Sequence, residues 1–192
     1  MTAVYNIYPP AFAVFGGMLA AAGIPIYIFA PTFYAENYGV GLTSIAAVLF
    51  WLRLIDAVQD PVFGWISENI GRERRFWVAF AVIILTGSMA LLFAVPPQTS
   101  PLLWFIISMT GLFSAFSFLT INFYAQGITA AGDLPGGHMQ LAAWRETGAL
   151  IGICLASVAP GLFMIWTGKP MLLFALAFGF LGLISFWMMK NH

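Results

Sequence analysis

Charged residues are scarce in this chain, which argues against a water-soluble fold. Asp, Glu, Lys and Arg make up 7% of the 192 residues, whereas soluble domains carry about a quarter. Apolar residues make up 61%, and the mean hydropathy is +0.94. The formal net charge is zero and no basic tract is present, so we do not expect a nucleic-acid partner. The composition predicts a membrane protein whose main solvent is the lipid bilayer.

Cysteine and histidine are also nearly absent. The single Cys154 cannot form an internal disulfide, and its apolar neighbours predict a small buried hydrophobe. His138 lies in a predicted loop and His192 at the terminus, so a histidine cluster is not expected. There is no Gly-x-Ser-x-Gly elbow and no phosphate-binding glycine loop. We expect neither enzymatic activity nor a cofactor.

Glycine, proline and charged residues divide the chain into six apolar segments. Each contains about 20 residues or more, which is the length that a helix needs to cross a bilayer. The segment 1–10 lacks the basic region of a signal peptide, so the first span is expected to remain. The prediction is an all-α membrane protein, a single six-helix bundle over residues 1–192 with spans at about 10–34, 43–66, 76–95, 101–126, 139–166 and 170–189.

Lysine and arginine indicate the orientation of these spans. Arg72, Arg74 and Arg75 lie in the second connection, and Lys190 follows the sixth span. Cytoplasmic loops are enriched in these residues, and an even number of spans puts both termini on one side. Both termini are therefore predicted to be cytoplasmic.

The second span carries three ionisable side chains on one stripe. Helical spacing aligns Arg53, Asp56 and Asp60, and each intramembrane charge costs about 2.5–3.5 kcal/mol at the helix centre. Carboxylates four residues apart can share a Na⁺ or bind a proton, and Gln59 can supply another oxygen ligand. A structural ion pair with Arg53 is the alternative, but it leaves one carboxylate unexplained. We predict a cation site at Asp56 and Asp60, with Arg53 as the balancing charge.

Arg145 is the other charge placed inside a span. It can pair with Glu146 or extend to the membrane surface, or it can contact a substrate or act as a gate. Nearby, Gly148 and Gly152 form a small-xxx-small pair that favours close helix packing.

Three stretches resemble a known family. Residues 53–64, with Arg53, Asp56, Asp60 and Gly64, resemble the R-x-x-D-A-x-x-D-P-x-x-G signature of the glycoside–pentoside–hexuronide:cation symporters, the melibiose-permease branch of the major facilitator superfamily. Residues 64–75 resemble the superfamily's loop motif G-x-x-x-D-x-x-G-R-x-x-R, with Glu68 in place of Asp. The segment around Arg145 is similar to the family's fifth helix.

The resemblance implies a fold and a set of roles. The fold would be one six-helix half with a three-plus-three inverted repeat, in a bacterial inner membrane. Asp56 and Asp60 would bind the coupling cation, Na⁺ or H⁺, and Arg145 would help to bind substrate. The loop would stabilise the outward-facing state as a gating loop, through Gly64, Glu68, Gly71, Arg72 and Arg75.

The sequence departs from the sugar-binding pattern of that family. Span one has no acid between Pro10 and Tyr34, and in span four Thr120 and Tyr124 replace an acid and a tryptophan. We therefore expect a substrate that is not a melibiose-like sugar, and an amphipathic solute fits better. The predicted substrate-binding residues are Arg145, Tyr124, Asn122, Thr120 and Trp144.

The chain is also half as long as the resemblance requires. The family has about twelve spans in two halves that rock around a midplane site. We expect an N-terminal half-subunit that works with a second six-helix chain, and favour a C-terminal-half-like subunit over a second copy. The alternative is a non-transporting accessory or scaffold subunit of a membrane complex.

Overall fold

The structure, a computed structural model, describes residues 9–132 and 136–190. These residues contain six helices long and apolar enough to cross a membrane, and they contain no strand. The predicted all-α, six-span membrane fold is therefore confirmed. The elements are α1 (Pro9–Ile24), a π-helical turn (Pro25–Phe29), α2 (Ala30–Tyr38), α3 (Leu42–Asn69), a 3₁₀ turn (Gly71–Glu73), α4 (Arg74–Phe93), α5 (Pro101–Ala131), α6 (Gly137–Trp166) and α7 (Pro170–Lys190).

Two helices continue beyond the apolar segments that predicted them. The first span, made of α1, the π turn and α2, runs to Tyr38 instead of residue 34, and α5 runs to Ala131 instead of residue 126. A helix that leaves the apolar layer can continue through polar residues such as Glu36, so the end of an apolar run is not a stop signal. The first span ends instead at Gly39, whose φ of 66° favours glycine.

Helix pairing follows an internal symmetry. Helix α1 packs against α6, and α5 packs against α3; α1 also packs against α7, and α5 against α4. If spans one, two and three are exchanged with spans four, five and six, the α1–α6 pair becomes the α5–α3 pair. The α1–α7 pair becomes the α5–α4 pair in the same way. This exchange is the pattern expected of a three-plus-three repeat, and α4 and α7, which are equivalent in it, pack against each other.

The crossing of α1 and α6 is held by small residues. A Cβ atom added at Gly148 would overlap the backbone of Ala13, and one added at Gly152 would overlap the backbone of Gly17. The expected close packing at Gly148 and Gly152 is thus confirmed, and it depends on the missing side chains.

The outward faces of α3 and α6 are apolar and exposed. In the most apolar stretch of each helix, 17% of the residues are buried in α3 and 22% in α6, whereas 50% are buried in α5. The prediction that Cys154 is buried is wrong, because it lies on the exposed part of α6. Its apolar neighbours indicated a nonpolar environment without distinguishing lipid from protein core.

Candidate functional site

Asp56 is the buried centre of a polar network on α3. The residue is 6% exposed. Its Oδ2 accepts a hydrogen bond of 3.1 Å from Nη1 of Arg53, and its Oδ1 accepts one of 3.1 Å from Nε2 of Gln59. The structure therefore brings together three of the residues predicted for the cation site. The Arg53 side chain is 63% exposed, so the ion pair lies at the edge of the bundle.

Two serines of α5 complete this network. The Oγ atom of Ser117 donates a hydrogen bond to Oδ1 of Asp60, and Oγ of Ser114 donates one of 3.2 Å to Oε1 of Gln59. Ser114 and Ser117 are three residues apart, so they lie on the same face of α5. Neither serine was predicted as a site residue from the sequence. The available signal was two hydroxyl side chains at helical spacing in an apolar span.

The charges of this network do not cancel. One guanidinium and two carboxylates, Arg53 with Asp56 and Asp60, sum to +1 − 2 = −1. A single monovalent cation would make the site neutral, and the surrounding carboxylate, amide and hydroxyl oxygens are ligands that hard cations prefer. Pro61 continues α3 but has no N–H to donate to the carbonyl of Ala57, which leaves a further oxygen without its helical partner.

Tyr27 links this network to the first span. It lies on the π turn, and Cζ of Arg53 is 6.0 Å from the centroid of its ring. The same ring makes an edge-to-face contact with Phe113 of α5, with centroids 5.9 Å apart. Tyr27 was not predicted from the sequence, because a π turn changes the helical register and has no simple sequence signal.

A cavity of about 160 Å³ lies between α1, α5 and α6. Arg145 lines it, with its Cζ atom 4.5 Å from the ring centroid of Tyr124. Arg145 also donates to Oε1 of Glu146 at 2.7 Å, so the two roles considered for it, local pairing and substrate contact, are compatible. Thr120 lines the same cavity, and its buried Oγ1 has no hydrogen-bond partner among the described residues. Buried hydroxyls are ordinarily satisfied, so this one is an exception, but the oxygen itself is covered by protein and does not face the cavity in this conformation.

An adjoining cavity of about 90 Å³ shares Phe123, Tyr124 and Arg145 with the first. His138 lines it from the first turn of α6. The prediction that His138 lies in a loop is therefore wrong, since the helix begins at Gly137, before the apolar run does. Arg145 and Tyr124 thus line both cavities.

Two of the predicted substrate-binding residues lie elsewhere. Asn122 is 1% exposed; its Oδ1 accepts a 2.9 Å hydrogen bond from Ser67, and its Nδ2 donates to the carbonyl of Phe118. Asn122 and Trp144 are not among the described residues that line the two cavities. Asn122 faces away from the cavity that Thr120 lines, because a position two residues further along a helix is rotated by about 200° around the helix axis.

The predicted gating loop connects α3 to α4. Gly71 has a φ of 51°, a left-handed conformation that favours glycine, whereas Gly64, Glu68 and Arg75 lie on the flanking helices. The side chain of Arg72 lies outside the described part of the chain. Arg74, which the motif did not single out, donates from Nη2 to the carbonyl oxygen of Ser67 at 2.9 Å and so ties the start of α4 to the end of α3.

Helix α5 is common to both sites. Ser114 and Ser117 contact the acid network on α3, and Thr120 and Tyr124, the next positions on a similar spacing, line the cavity. A movement of α5 would therefore act on both sites at once.

Comparison with known proteins gives two matches. A family described as MFS/sugar transport protein matches residues 10–192. A protein of Salmonella typhimurium named "Putative sulfoquinovose importer" is 27% identical over 172 residues, an alignment that covers 81% of this chain and 35% of that protein. The chain thus spans about a third of the length of this curated relative. No solved structure matches the chain. Since the family match takes in nearly the whole sequence, this integral membrane chain belongs to the MFS/sugar transport protein family.

Proposed function

We propose that this chain is the N-terminal half of a cation-coupled secondary transporter that works by alternating access. The observation that carries the proposal is the pair of neighbouring acids on α3, of which Asp56 accepts a hydrogen bond from Gln59 and Asp60 accepts one from the hydroxyl of Ser117 on α5. The coupling cation, Na⁺ or H⁺, binds at the two carboxylates.

A purely structural ion pair accounts less well for the same residues. Arg53 can neutralise the charge of Asp56, with which it pairs at 3.1 Å, but the charge of Asp60 then remains. An uncompensated intramembrane charge costs about 2.5–3.5 kcal/mol. A cation that binds and leaves during transport gives this acid a function, and a scaffold has no use for it.

The cavity around Arg145 is the proposed substrate site. Its lining is largely apolar, with Arg145, Glu146 and Tyr124 as polar side chains, and the carboxylate of Glu146 is already paired with Arg145 at 2.7 Å. It supplies few acceptors for the hydroxyls of a neutral melibiose-like sugar. An amphipathic or anionic solute fits better. The sulfonated sugar in the name of the Salmonella typhimurium relative is one candidate, because its anionic group can pair with the guanidinium of Arg145.

We further propose that a second six-helix bundle completes the site. A cavity of about 160 Å³ is smaller than the about 300–1,000 Å³ of most small-molecule sites, and transporter sites lie between two bundles. A C-terminal-half-like subunit is favoured over a second copy, since a copy would have to use one face in both roles. We also propose, from the arginine-rich second connection, that both termini are cytoplasmic and that the bilayer is a bacterial inner membrane.

Uptake into membrane vesicles tests the cation site. Asp56→Asn and Asp60→Asn should each abolish Na⁺- or H⁺-dependent uptake while the amount of inserted protein stays the same. Glu36→Gln, which removes an exposed acid at the end of the first span, is the matched control and should keep the dependence. Uptake that retains its Na⁺ and pH dependence in both Asp variants would refute the site, whereas copurification with an unrelated enzyme complex in place of a six-span partner would favour the accessory-subunit alternative.

A further inference from the structure

The first span contains one turn that is not α-helical. Residues Pro25–Phe29 form a π-helical turn between α1 and α2. A π turn holds one more residue than an α turn, so the positions around it are rotated by about 100° relative to an uninterrupted helix. Such turns within α-helices are frequent at functional sites. Here the turn presents Tyr27 towards α3 and α5.

The ring of Tyr27 touches two helices that carry the proposed cation site. Its edge-to-face contact with Phe113 fixes it against α5 at a centroid separation of 5.9 Å. Its face is 6.0 Å from Cζ of Arg53, a distance at which an aromatic ring attracts a guanidinium. Arg53 simultaneously pairs with Asp56 at 3.1 Å. The guanidinium is therefore shared between a carboxylate and an aromatic ring.

We propose that Tyr27 is a positioning residue that limits how strongly Arg53 competes with the coupling cation for Asp56. The proposal rests on the proposed function, because it assumes that the cation binds at Asp56 and Asp60. A cation at this site must displace part of the Arg53–Asp56 interaction, since both cations seek the same carboxylate. The ring holds the displaced guanidinium nearby and so makes the displacement easier.

The position of Tyr27 also connects the proposed cation site to the substrate cavity through the first span. Tyr27 belongs to the same continuous span as Gly16, Leu19 and Ala20 of α1, which line that cavity. A guanidinium that shifts between Asp56 and Tyr27 changes the force on this span. Cation binding and the shape of the cavity are thereby linked through one continuous span.

The test measures the cation concentration for half-maximal uptake by the complete transporter, with its second bundle, in proteoliposomes. Tyr27→Leu removes the ring and should raise this concentration about two- to five-fold, the effect of one cation–π contact at a partly exposed site. Tyr27→Phe keeps a ring and should shift it less than Tyr27→Leu. Tyr27→Trp supplies a stronger cation–π partner and should lower it. Ile28→Ala, which changes an exposed neighbour on the same turn, is the control.

A double-variant cycle identifies the partner. In an Arg53→Gln background, Tyr27→Leu should have no further effect on the half-maximal cation concentration. The positioning role of Tyr27 would be overturned if Tyr27→Phe and Tyr27→Leu shifted the half-maximal cation concentration equally, or if the shift persisted in the Arg53→Gln background. Neither result would overturn the proposed function. A wild type whose uptake depends on neither Na⁺ nor H⁺ would overturn the proposed function itself.

Discussion

The hydroxyl of Ser117 on α5 donates a hydrogen bond to Oδ1 of Asp60 on α3. The other acid of the pair, Asp56, is held differently, by Arg53 and Gln59 of its own helix. The two carboxylates thus have separate partners, one within α3 and one across the helix interface. A cation bound by both carboxylates would therefore affect contacts within α3 and the contact with α5. Helix α5 also lines the cavity of Arg145. This arrangement connects the two proposed sites without a long chain of residues.

Ser117→Ala should weaken Na⁺ binding. The change removes a hydroxyl oxygen beside Asp60 that can serve as a ligand to Na⁺, and since contacts to charged groups contribute about 1.5–3 kcal/mol, at least about tenfold more Na⁺ should be needed for half-maximal uptake. Ser108→Ala is the matched control, because Ser108 is buried on the same helix and donates to the carbonyl of Trp104. Unchanged ion dependence in Ser117→Ala would exclude Ser117 from the site.

Arg145→Lys should impair substrate binding even though it keeps the charge. The planar guanidinium stacks 4.5 Å over the ring of Tyr124, a geometry that an ammonium does not reproduce. The substrate concentration for half-maximal uptake should rise about tenfold, as for the loss of a charge-assisted contact. Lys169→Gln, at an exposed position between α6 and α7, should leave it unchanged. Equal affinity in Arg145→Lys and wild type would remove Arg145 from the substrate site.

Asn122→Leu should lower stability without changing substrate affinity. The variant leaves the hydroxyl of buried Ser67 without its acceptor, which costs about 1–3 kcal/mol. Adding Ser67→Ala should recover part of that loss, because both polar groups are then gone. Thermal unfolding in detergent measures the first effect and concentration-dependent uptake the second. A large change in substrate affinity with normal stability would return Asn122 to the substrate site.

Gly148→Ala and Gly152→Ala should destabilise the bundle severely. Each added Cβ would meet backbone of α1, which cannot move aside as a flexible side chain does, so the loss should reach or exceed the about 1–3 kcal/mol typical of overpacking. Gly161→Ala on the same helix is the control, because its Cβ would have no described atom within 4 Å. The unfolding temperature in detergent should fall in the first two variants and not in the third. Similar temperatures in all three would contradict the close crossing of α1 and α6.

Much of this fold follows from the sequence because the bilayer imposes simple requirements. A low charge content and apolar segments of sufficient length predict six helices, and Gly148 with Gly152 predicts a close crossing. The acids of α3 were identifiable because charges are rare in such helices. Helix ends were less predictable, since α5 continues to Ala131 through polar residues.

The partners of the site residues could not be predicted in the same way. Ser114 and Ser117 become site residues because α5 packs against α3 in one rotation, which depends on the tertiary structure. That rotation also directs Thr120 to the cavity and Asn122 to Ser67. Tyr27 required knowledge of the π turn. Spacing along one helix places residues on a stripe, but only packing determines what the stripe faces.

Direct cation binding tests the central claim most sharply. Calorimetric titration of the purified complex with Na⁺ at high pH, and proton uptake measured on lowering the pH without Na⁺, would give the stoichiometry for either ion. Because Arg53, Asp56 and Asp60 have a formal net charge of −1 when both acids are ionised, we predict one monovalent cation for each copy of this chain, with binding lost in Asp56→Asn and in Asp60→Asn. Binding of one cation that persists with unchanged affinity in the double variant would contradict the account.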